Sequence, residues 1–504
     1  MNQDSPGICY LVGAGPGDPG LLTVKGRECV ETCDVLVYDA LSSPLFLSWT
    51  KPSCEKIYVG KRAADHALPQ DKINDLIVER TLRGQTVTRL KGGDVMMFGR
   101  GGEEAAELAE AGVRFEIVPG ISSTIAGPAY AGIPVTHRDH CSQLTIFTGH
   151  EDPTKGATSL DYQKLAQAPG TKVFVMGVAR IRAITQQFID GGASPSTPIS
   201  LTRWATTKKQ WTLIGTLADI ADKVEETGFK SPAVAVIGEV VRERENINWF
   251  ETKPLFGKKI VVTRTRDQAG KLSRDLADLG ADVIEMPLIR IDPPEDKIGF
   301  AGLVTDAHSY DWLVFTSPNG VEKFFDAFYA TYKDARSLGG CKIAAIGPAT
   351  AEKIAEYRFV TDLLPDGNYV AEGLIAALKK EGVEHLTFLW VKAEETRDVI
   401  SKGLDDLGAI VDECIAYKTV PETDDPTGAR ARLAEEGADL ITFASGSTVD
   451  NFFKLGLDWP EGAKAASIGP VTTKTLLAHG QAPIQATQNT IPSLVEAIVD
   501  HFQE

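Results

Sequence analysis

Gly13-Ala-Gly-Pro-Gly-Asp-Pro-Gly20 lies between an apolar run, Ile8-Cys-Tyr-Leu-Val12, and a helical stretch from Leu21 to Thr32. A glycine-rich loop that ends a buried strand and opens a helix is a place where an α/β sheet receives a ligand. A dinucleotide fingerprint, G-x-G-x-x-G, needs glycine at position 18, where this chain has Asp18. Pro16 and Pro19 remove two backbone N–H donors that a pyrophosphate would use, and a carboxylate beside a diphosphate is repulsive. The loop therefore suits a ligand that approaches the backbone closely but is not rich in phosphate. Glycines that only make a tight turn are the other reading.

Outward from this loop, strand and helix signals alternate. Asp34 to Tyr38, Val87 to Leu90, Phe115 to Val118, Leu144 to Thr148, Val173 to Met176 and Ala233 to Ile237 read as strands, with helical stretches such as Glu103 to Ala111 between some of them. That alternation predicts an α/β architecture. Asn248 to Lys259, with Pro254 and Gly257, separates this half from a second α/β pattern that starts with a strand at Ile260 to Thr263. The expected domains are 1–250 and 256–504.

The second half repeats itself. Leu276 to Val283 recurs as Leu404 to Val411, and Tyr310 to Ser317 as Ala438 to Ser445, both at an offset of 128. Ile346 to Ala351 recurs as Ile468 to Thr473, now at 122. Duplication predicts two similar α/β lobes with a ligand cleft between them.

Composition narrows the function classes. At 504 residues, with 43% hydrophobic and 24% charged side chains, the chain is an ordinary globular one with more than one core. It has no apolar run of membrane-spanning length and no signal-peptide layout at its N-terminus. A net charge of −17 opposes general nucleic-acid binding, although a local arginine cluster can still hold an anionic small molecule. Seven scattered cysteines without a C-x-x-C pair argue against a disulfide framework or structural zinc, and fit buried thiols in a reducing cytoplasm. His137, His140 and His150 have no cysteine or carboxylate at ligand spacing, so no metal is expected.

Further glycine clusters follow apolar segments at Arg89-Leu-Lys-Gly-Gly-Asp94, Phe98-Gly-Arg-Gly-Gly-Glu-Glu104, Pro119-Gly-Ile-Ser-Ser123 and Gly132-Ile-Pro-Val-Thr-His-Arg138. Together with Val12 to Thr23, Val37-Tyr-Asp39 and Val59-Gly-Lys-Arg62, the Arg89, Pro119 and Gly132 segments resemble the tetrapyrrole methylases. Within them they look most like uroporphyrinogen-III C-methyltransferase, over roughly Pro6 to Phe250. The resemblance implies a two-lobed α/β fold that binds S-adenosyl-L-methionine (SAM) in its cleft and releases S-adenosyl-L-homocysteine. Carried over motif by motif, it implies SAM contacts at Pro16, Gly92, Gly93, Asp94, Met97, Ser122, Ser123, Met176 and Ala205. Asp39 would be the proton acceptor and Lys61 the proton donor. The family usually has Pro-Phe after Gly-Gly-Asp, whereas Val95-Met96-Met97 stands here, which touches the adenosine contacts. A strand-end aspartate also serves as a turn cap, and Lys61 reads equally as a surface lysine. An eight-carboxylate substrate needs bidentate arginines, for which Arg62, Arg89 and Arg138 are candidates beside Lys91 and Arg100; each also reads as a solvated charge.

Thr263-Arg-Thr-Arg266, Phe315 to Val321, Ile346 to Thr350, Tyr417-Lys-Thr419, Phe443 to Val449 and Ile468 to Thr472 resemble uroporphyrinogen-III synthase, over about Leu255 to Phe502. The resemblance implies a chain that crosses between two lobes twice. It places Tyr417 near a leaving hydroxyl and makes Thr350 and Thr472 substrate contacts. A tyrosine half-buried at a lobe crossover is the plainer reading of Tyr417. The combined expectation is a cytoplasmic, bifunctional enzyme, a lyase and a transferase, homodimeric through its first half. It would cyclise hydroxymethylbilane to uroporphyrinogen III and methylate that product at C2 and C7 to precorrin-2. A nicotinamide-dependent dehydrogenase and a non-enzymatic tetrapyrrole or sugar sensor are the rivals; Asp18 and the two prolines oppose the first.

Overall fold

Apolar runs of four to six residues close the first sheet. In the computed structural model, which describes residues 7–60, 68–150, 159–264, 266–367, 369–425 and 427–503, the chain forms two compact units, Met1–Gly257 and Lys258–Glu504. The N-terminal unit opens with β1 (Ile8–Gly13), β2 (Val35–Tyr38), β3 (Glu55–Tyr58), β4 (Thr86–Lys91) and β5 (Phe115–Val118). They form a parallel sheet in the order β3-β2-β4-β1-β5. Both faces of β1 and β4 are buried, as parallel strands between helical layers require. The expected helix from Leu21 begins later, at Val24, because Pro19–Leu21 forms a 3-10 turn first and the Thr23 hydroxyl then caps the helix by accepting from Gly26 N at 3.0 Å.

A second sheet in this unit is mixed. Its strands are β6 (Leu144–Thr148), β7 (Thr171–Val175), β8 (Pro198–Arg203), β9 (Trp211–Thr216) and β10 (Ala233–Ile237), in the order β6-β7-β10-β8-β9. Only β6 and β7 pair in parallel; β10, β8 and β9 run antiparallel to their neighbours. The ends of β7 and β8 and the start of β10 share one edge, since Val175 and Thr202 both pair with Val234. Among the described residues, no helix is long and apolar enough to cross a membrane.

The C-terminal unit contains two five-stranded sheets. One has the order β12-β11-β18-β19-β20, from β11 (Lys259–Val262), β12 (Asp282–Glu285), β18 (Leu440–Phe443), β19 (Lys464–Ser467) and β20 (Pro483–Gln485). The other has the order β13-β17-β16-β14-β15, from β13 (Ile289–Asp292), β14 (Trp312–Phe315), β15 (Lys342–Ala345), β16 (Thr387–Ala393) and β17 (Ile410–Pro421). The chain thus crosses between lobes twice, after β12 and after β17, where β13 and β17 run side by side and antiparallel. One lobe is built from both ends of the unit, as expected.

The lobes are similar, yet a repeat is not a lobe. The first repeat supplies β11 and β12 to one lobe and β14 and β15 to the other; the second supplies β16 and β17, then β18 and β19, in the reverse allocation. Each five-stranded sheet therefore draws strands from both repeats, two from one and three from the other. Matching contacts tie the halves together. Asp311 Oδ2 accepts from Thr387 N at 2.8 Å, and Asp439 Oδ2 accepts from Lys259 N at 2.6 Å. Asp311 and Asp439 are 128 positions apart, as are Lys259 and Thr387.

Phe315, Phe324, Phe325 and Phe328 are all buried and pack with Leu389 and Tyr417 in one core cluster. Phe324→Ala is expected to lower the stability of this unit by about 3–5 kcal/mol, read from urea unfolding followed by fluorescence.

Candidate active sites

Three loops leave one edge of the first sheet, after β1, β4 and β5, and touch through bare backbone. Gly15 and Gly93 exchange hydrogen bonds, with N to O distances of 3.1 and 2.6 Å. A Cβ on Gly13 would lie 2.5 Å from Gly120 N, and one on Gly120 would lie 2.3 Å from Gly93 O. No other residue type fits at either position without moving the main chain. The Asp94 side chain fastens the crossing: Oδ1 accepts from Met96 N and Met97 N at 2.8 and 3.0 Å, and Oδ2 from Gly120 N at 2.9 Å. Ser122 follows as the cap of the helix Ser123–Tyr130.

Asp18, the residue that breaks the dinucleotide pattern, is a fastener too. Its Oδ1 accepts from Gly20 N at 2.8 Å and its Oδ2 from the Tyr130 hydroxyl at 2.8 Å, while its own N–H donates to Thr206 Oγ1 at 3.0 Å. Thr206 belongs to the loop after β8, so the glycine-rich loop is held against the second lobe. Gly17 lies within the same contact, where a Cβ would meet Thr207 Cγ2 at 2.6 Å and Ala205 O at 3.3 Å. Pro16, Gly92, Gly93, Asp94, Ser122, Ser123 and Ala205 are thereby brought together. Met97 follows Asp94, and Met176 leaves β7 at the edge where β8 ends. Met176 was expected inside a strand; instead it stands just beyond it in the left-handed region, at φ 59°.

Two further features mark these loops. Seven non-glycine residues among those described have positive φ, and five of them are Phe98, Arg100, Met176, Trp204 and Thr206. Such backbone strain gathers where a structure is shaped for a ligand. Met97, Phe98, Ile121, Ile125, Met176 and Trp204 also expose large apolar side chains there.

Asp39 sits just beyond β2, with Leu41 N donating to Oδ1 at 3.1 Å and the Arg89 guanidinium 3.6 Å from Oδ2. Arg89 was expected among substrate contacts, but its side chain is only 4% exposed. It lies on β4, whose residues from Val87 onward are all buried, and its Nε donates to Glu104 Oε1 at 3.2 Å. Lys91 donates to the same oxygen at 2.6 Å and Gln70 Nε2 at 2.9 Å. Burial, and then the neighbouring Arg89 charge, hold the Lys91 ammonium below the usual lysine range, with Glu104 opposing. Arg89 thus orients Asp39 instead of offering an open fork. Arg100 is exposed and paired with Glu103 at 2.6 Å. Arg138 stands in a hairpin before β6, at the end of the second sheet opposite Met176. The length of β7, roughly 17 Å, separates the two ends. Lys61 and Arg62 lie outside the described residues.

In the C-terminal unit, Thr350 and Thr472 occupy matching places in opposite lobes. Each is buried in the first turn of a helix, Pro348–Glu356 or Pro470–Ala478, that follows a Gly-Pro pair. Tyr417 stands on β17 near the crossover and is 6% exposed, more deeply buried than the half-buried reading allowed. Its hydroxyl is 3.0 Å from Ser317 Oγ, which caps the helix Pro318–Thr331 by accepting from Gly320 N. Burial raises the Tyr417 pKa, while hydrogen bonds with Ser317 and Asn319 act against the rise.

The chain matches the family model of Tetrapyrrole (Corrin/Porphyrin) Methylases over residues 9–221 and that of Uroporphyrinogen-III synthase HemD over residues 270–496. It is 34% identical to the Porphyrin biosynthesis protein HemD of Ruminiclostridium josui, across 98% of each chain. It is 43% identical to the Uroporphyrinogen-III C-methyltransferase of Bacillus subtilis (strain 168), over 71% of this chain and 74% of that relative. The S-adenosyl-L-methionine-dependent uroporphyrinogen III methyltransferase of Methanosarcina barkeri is 48% identical over 47% of this chain and 92% of its own length.

Because a Cβ at position 120 meets main chain on two sides, Gly120→Ala is expected to cost about 1–3 kcal/mol. Thermal unfolding followed by circular dichroism checks this, with Gly340→Ala, where φ is not positive and a Cβ meets open space, as the comparison without the steric contact.

Proposed function

Since the chain belongs to the tetrapyrrole methylases through its first unit and to the uroporphyrinogen-III synthases through its second, we propose that it converts hydroxymethylbilane to uroporphyrinogen III and methylates that product. The observation that carries this is one chain aligned end to end with a single relative and matched by both family models in turn. Residues 1–250 carry the methyltransferase and 256–504 the synthase. The enzyme works in the cytoplasm as a homodimer through its first half.

The crossing of the three loops fits SAM. Its close backbone and exposed Met97 and Met176 suit an adenosine and a sulfonium, while Asp94 and Asp18 disfavour a diphosphate. SAM supplies an electrophilic methyl group when bound. A pyrrole carbon of the substrate gains that methyl at C2 and again at C7, and a proton leaves the ring system each time. Asp39 accepts it, its carboxylate aimed by Leu41 N and Arg89. Lys61 would return a proton to the ring system as it tautomerises, so that one proton net is lost for each methyl gained. Pro16, Gly92, Gly93, Asp94, Ser122, Ser123 and Ala205 hold the cofactor, and precorrin-2 is the product.

In the second unit the bilane loses its hydroxyl and closes with the last ring inverted. Little acid–base machinery is required, because the pyrrole expels the hydroxyl; the lobes hold the flexible chain in the closing geometry. Thr350, Thr472 and the helix N-termini beside them receive its carboxylates, and Tyr417 donates to the leaving oxygen from its place beside Ser317.

Incubation with hydroxymethylbilane and SAM is expected to yield a cyclic tetrapyrrole bearing two added methyl groups, identified by mass; a linear or unmethylated product would oppose the reading. Asp39→Asn is expected to lower methyltransferase kcat by about 10²–10⁴-fold with SAM affinity kept, measured by calorimetry beside initial rates. Because the Tyr417 pKa is raised, its proton persists to higher pH than in an ordinary phenol. The alkaline limb of synthase activity is therefore expected above roughly pH 10, and Tyr417→Phe should remove that limb while slowing cyclisation.

A further inference from the structure

The strongest cluster of ligating side chains outside these sites is at the opposite end of the second sheet. His137, His140 and Glu243 each place one ligand atom within 4.8 Å of the other two, and they form the only such group found among the described residues. It was not expected from sequence, where no carboxylate stands at ligand spacing from the histidines; Glu243 arrives from 103 positions further on.

The two histidines are held by backbone, not by chance rotamers of long chains. His137 and Cys141 form an antiparallel bridge, with His137 N donating to Cys141 O at 3.1 Å and Cys141 N returning to His137 O at 2.8 Å. Within that hairpin the two imidazoles lie with centroids 4.8 Å apart, 33° from parallel. Glu243 ends the 3-10 helix Glu239–Glu243, which Val240 and Val241 anchor in the core. His140 Nε2 and Glu243 Oε1 are already 2.7 Å apart, and both side chains are about three-quarters buried. The ring of His137 is held less firmly: the backbone N–H of Asp139 reaches Nδ1 at 3.3 Å, a contact that a cation on that nitrogen would displace.

We propose that His137, His140 and Glu243 form a binding site for a divalent transition-metal ion, zinc being the chemical type that best suits two imidazoles and a carboxylate. Tetrahedral bonds of about 2.0–2.1 Å need ligand atoms roughly 3.3 Å apart, so the His140–Glu243 pair opens slightly and the His137 ring closes in. Three protein ligands leave a fourth position for water or an exogenous donor. The site also borders a cavity of about 310 Å³, which His140, Cys141, Lys172 and Glu239 help to line. Cys141 itself is turned away, with Sγ 3.0 Å from Thr171 Oγ1. A bound ion would clasp the hairpin to the Glu239–Glu243 turn beside that cavity.

The test uses the full chain, freed of metal by chelator dialysis and titrated with Co(II). One ion per chain is expected, with the d–d absorption of a four- or five-coordinate nitrogen–oxygen site, and Zn(II) should displace it. His137→Ala, His140→Ala and Glu243→Gln should each weaken binding roughly 10-fold or more, with far-UV circular dichroism unchanged. His140→Gln replaces His140→Ala if the latter fails to fold. The proposal is overturned by any of three outcomes: no saturable Co(II) spectrum, unchanged affinity in any one of the three variants, or a thiolate charge-transfer band that moves the ion to a cysteine.

Discussion

The N-terminal unit depends on main chain meeting main chain at Gly13, Gly93 and Gly120. Parallel strands β4, β1 and β5 end at the same edge, and their loops must cross above it. A single Cβ at Gly13 or Gly120 would push the loops apart by more than thermal motion supplies. Since the contact is backbone, the surface left for a ligand is backbone too, with its shape fixed by strand geometry. Asp94 closes the crossing from the β4 side, and Ser122 starts the helix that carries Tyr130. Tyr130 reaches back to Asp18, and Asp18 holds Thr206 of the second lobe. The contacts thus run in a circuit through both lobes, and each member is set by the one before it.

The C-terminal unit is constrained differently. Because each sheet draws strands from both repeats, neither repeat can bury its own apolar faces. β11 needs β18, and β16 needs β14, across long stretches of chain. The paired aspartates Asp311 and Asp439 sit at these junctions and receive the first N–H of the strand supplied by the other repeat. Non-local pairing of this kind makes folding slow relative to its stability. It also places corresponding helix N-termini on opposite lobes, so one flexible, multiply charged chain can be gripped by matching elements from both sides. Thr350 and Thr472 are related in that way, and Tyr417 has no counterpart: position 289 in the first repeat is Ile289, on the crossover strand β13.

Much of this was legible from sequence where a local signal sufficed. Fully buried parallel strands read as apolar runs, and β5 and β6 lie exactly where those runs lie. The repeat and the glycine-rich loops were visible as patterns. The hairpin of β8 and β9 was not, because Pro198 opens the first strand and Trp211 and Ile214 on the second are exposed, which blurs the alternation. Arg89 was read beside the glycine pair Gly92-Gly93 that follows it, whereas its partners are fixed by strand pleat. Arg89 and Lys91 share one face of β4 and so converge on Glu104, which arrives from a helix. The helix Gly101–Glu110 carries that glutamate as one acid of an adjacent pair, and nothing in the pair says which of the two is buried.

That buried cluster fixes the Asp39 carboxylate through distance and dielectric. The Arg89 guanidinium, the Lys91 ammonium and the wholly buried Glu104 carboxylate compensate one another out of solvent, and the part-exposed Asp39 carboxylate adjoins them. Removing one partner of such a set strands a charge at a cost of about 3–5 kcal/mol, far more than an exposed pair contributes. Arg89 therefore cannot swing toward a substrate carboxylate without leaving Glu104 and Lys91 unbalanced. Its guanidinium stays put, and the Asp39 carboxylate is aimed by a group that is itself immobile. A carboxylate aimed by an immobile partner keeps its angle, whereas a contact made by a mobile arginine at a solvated rim can be softened by water.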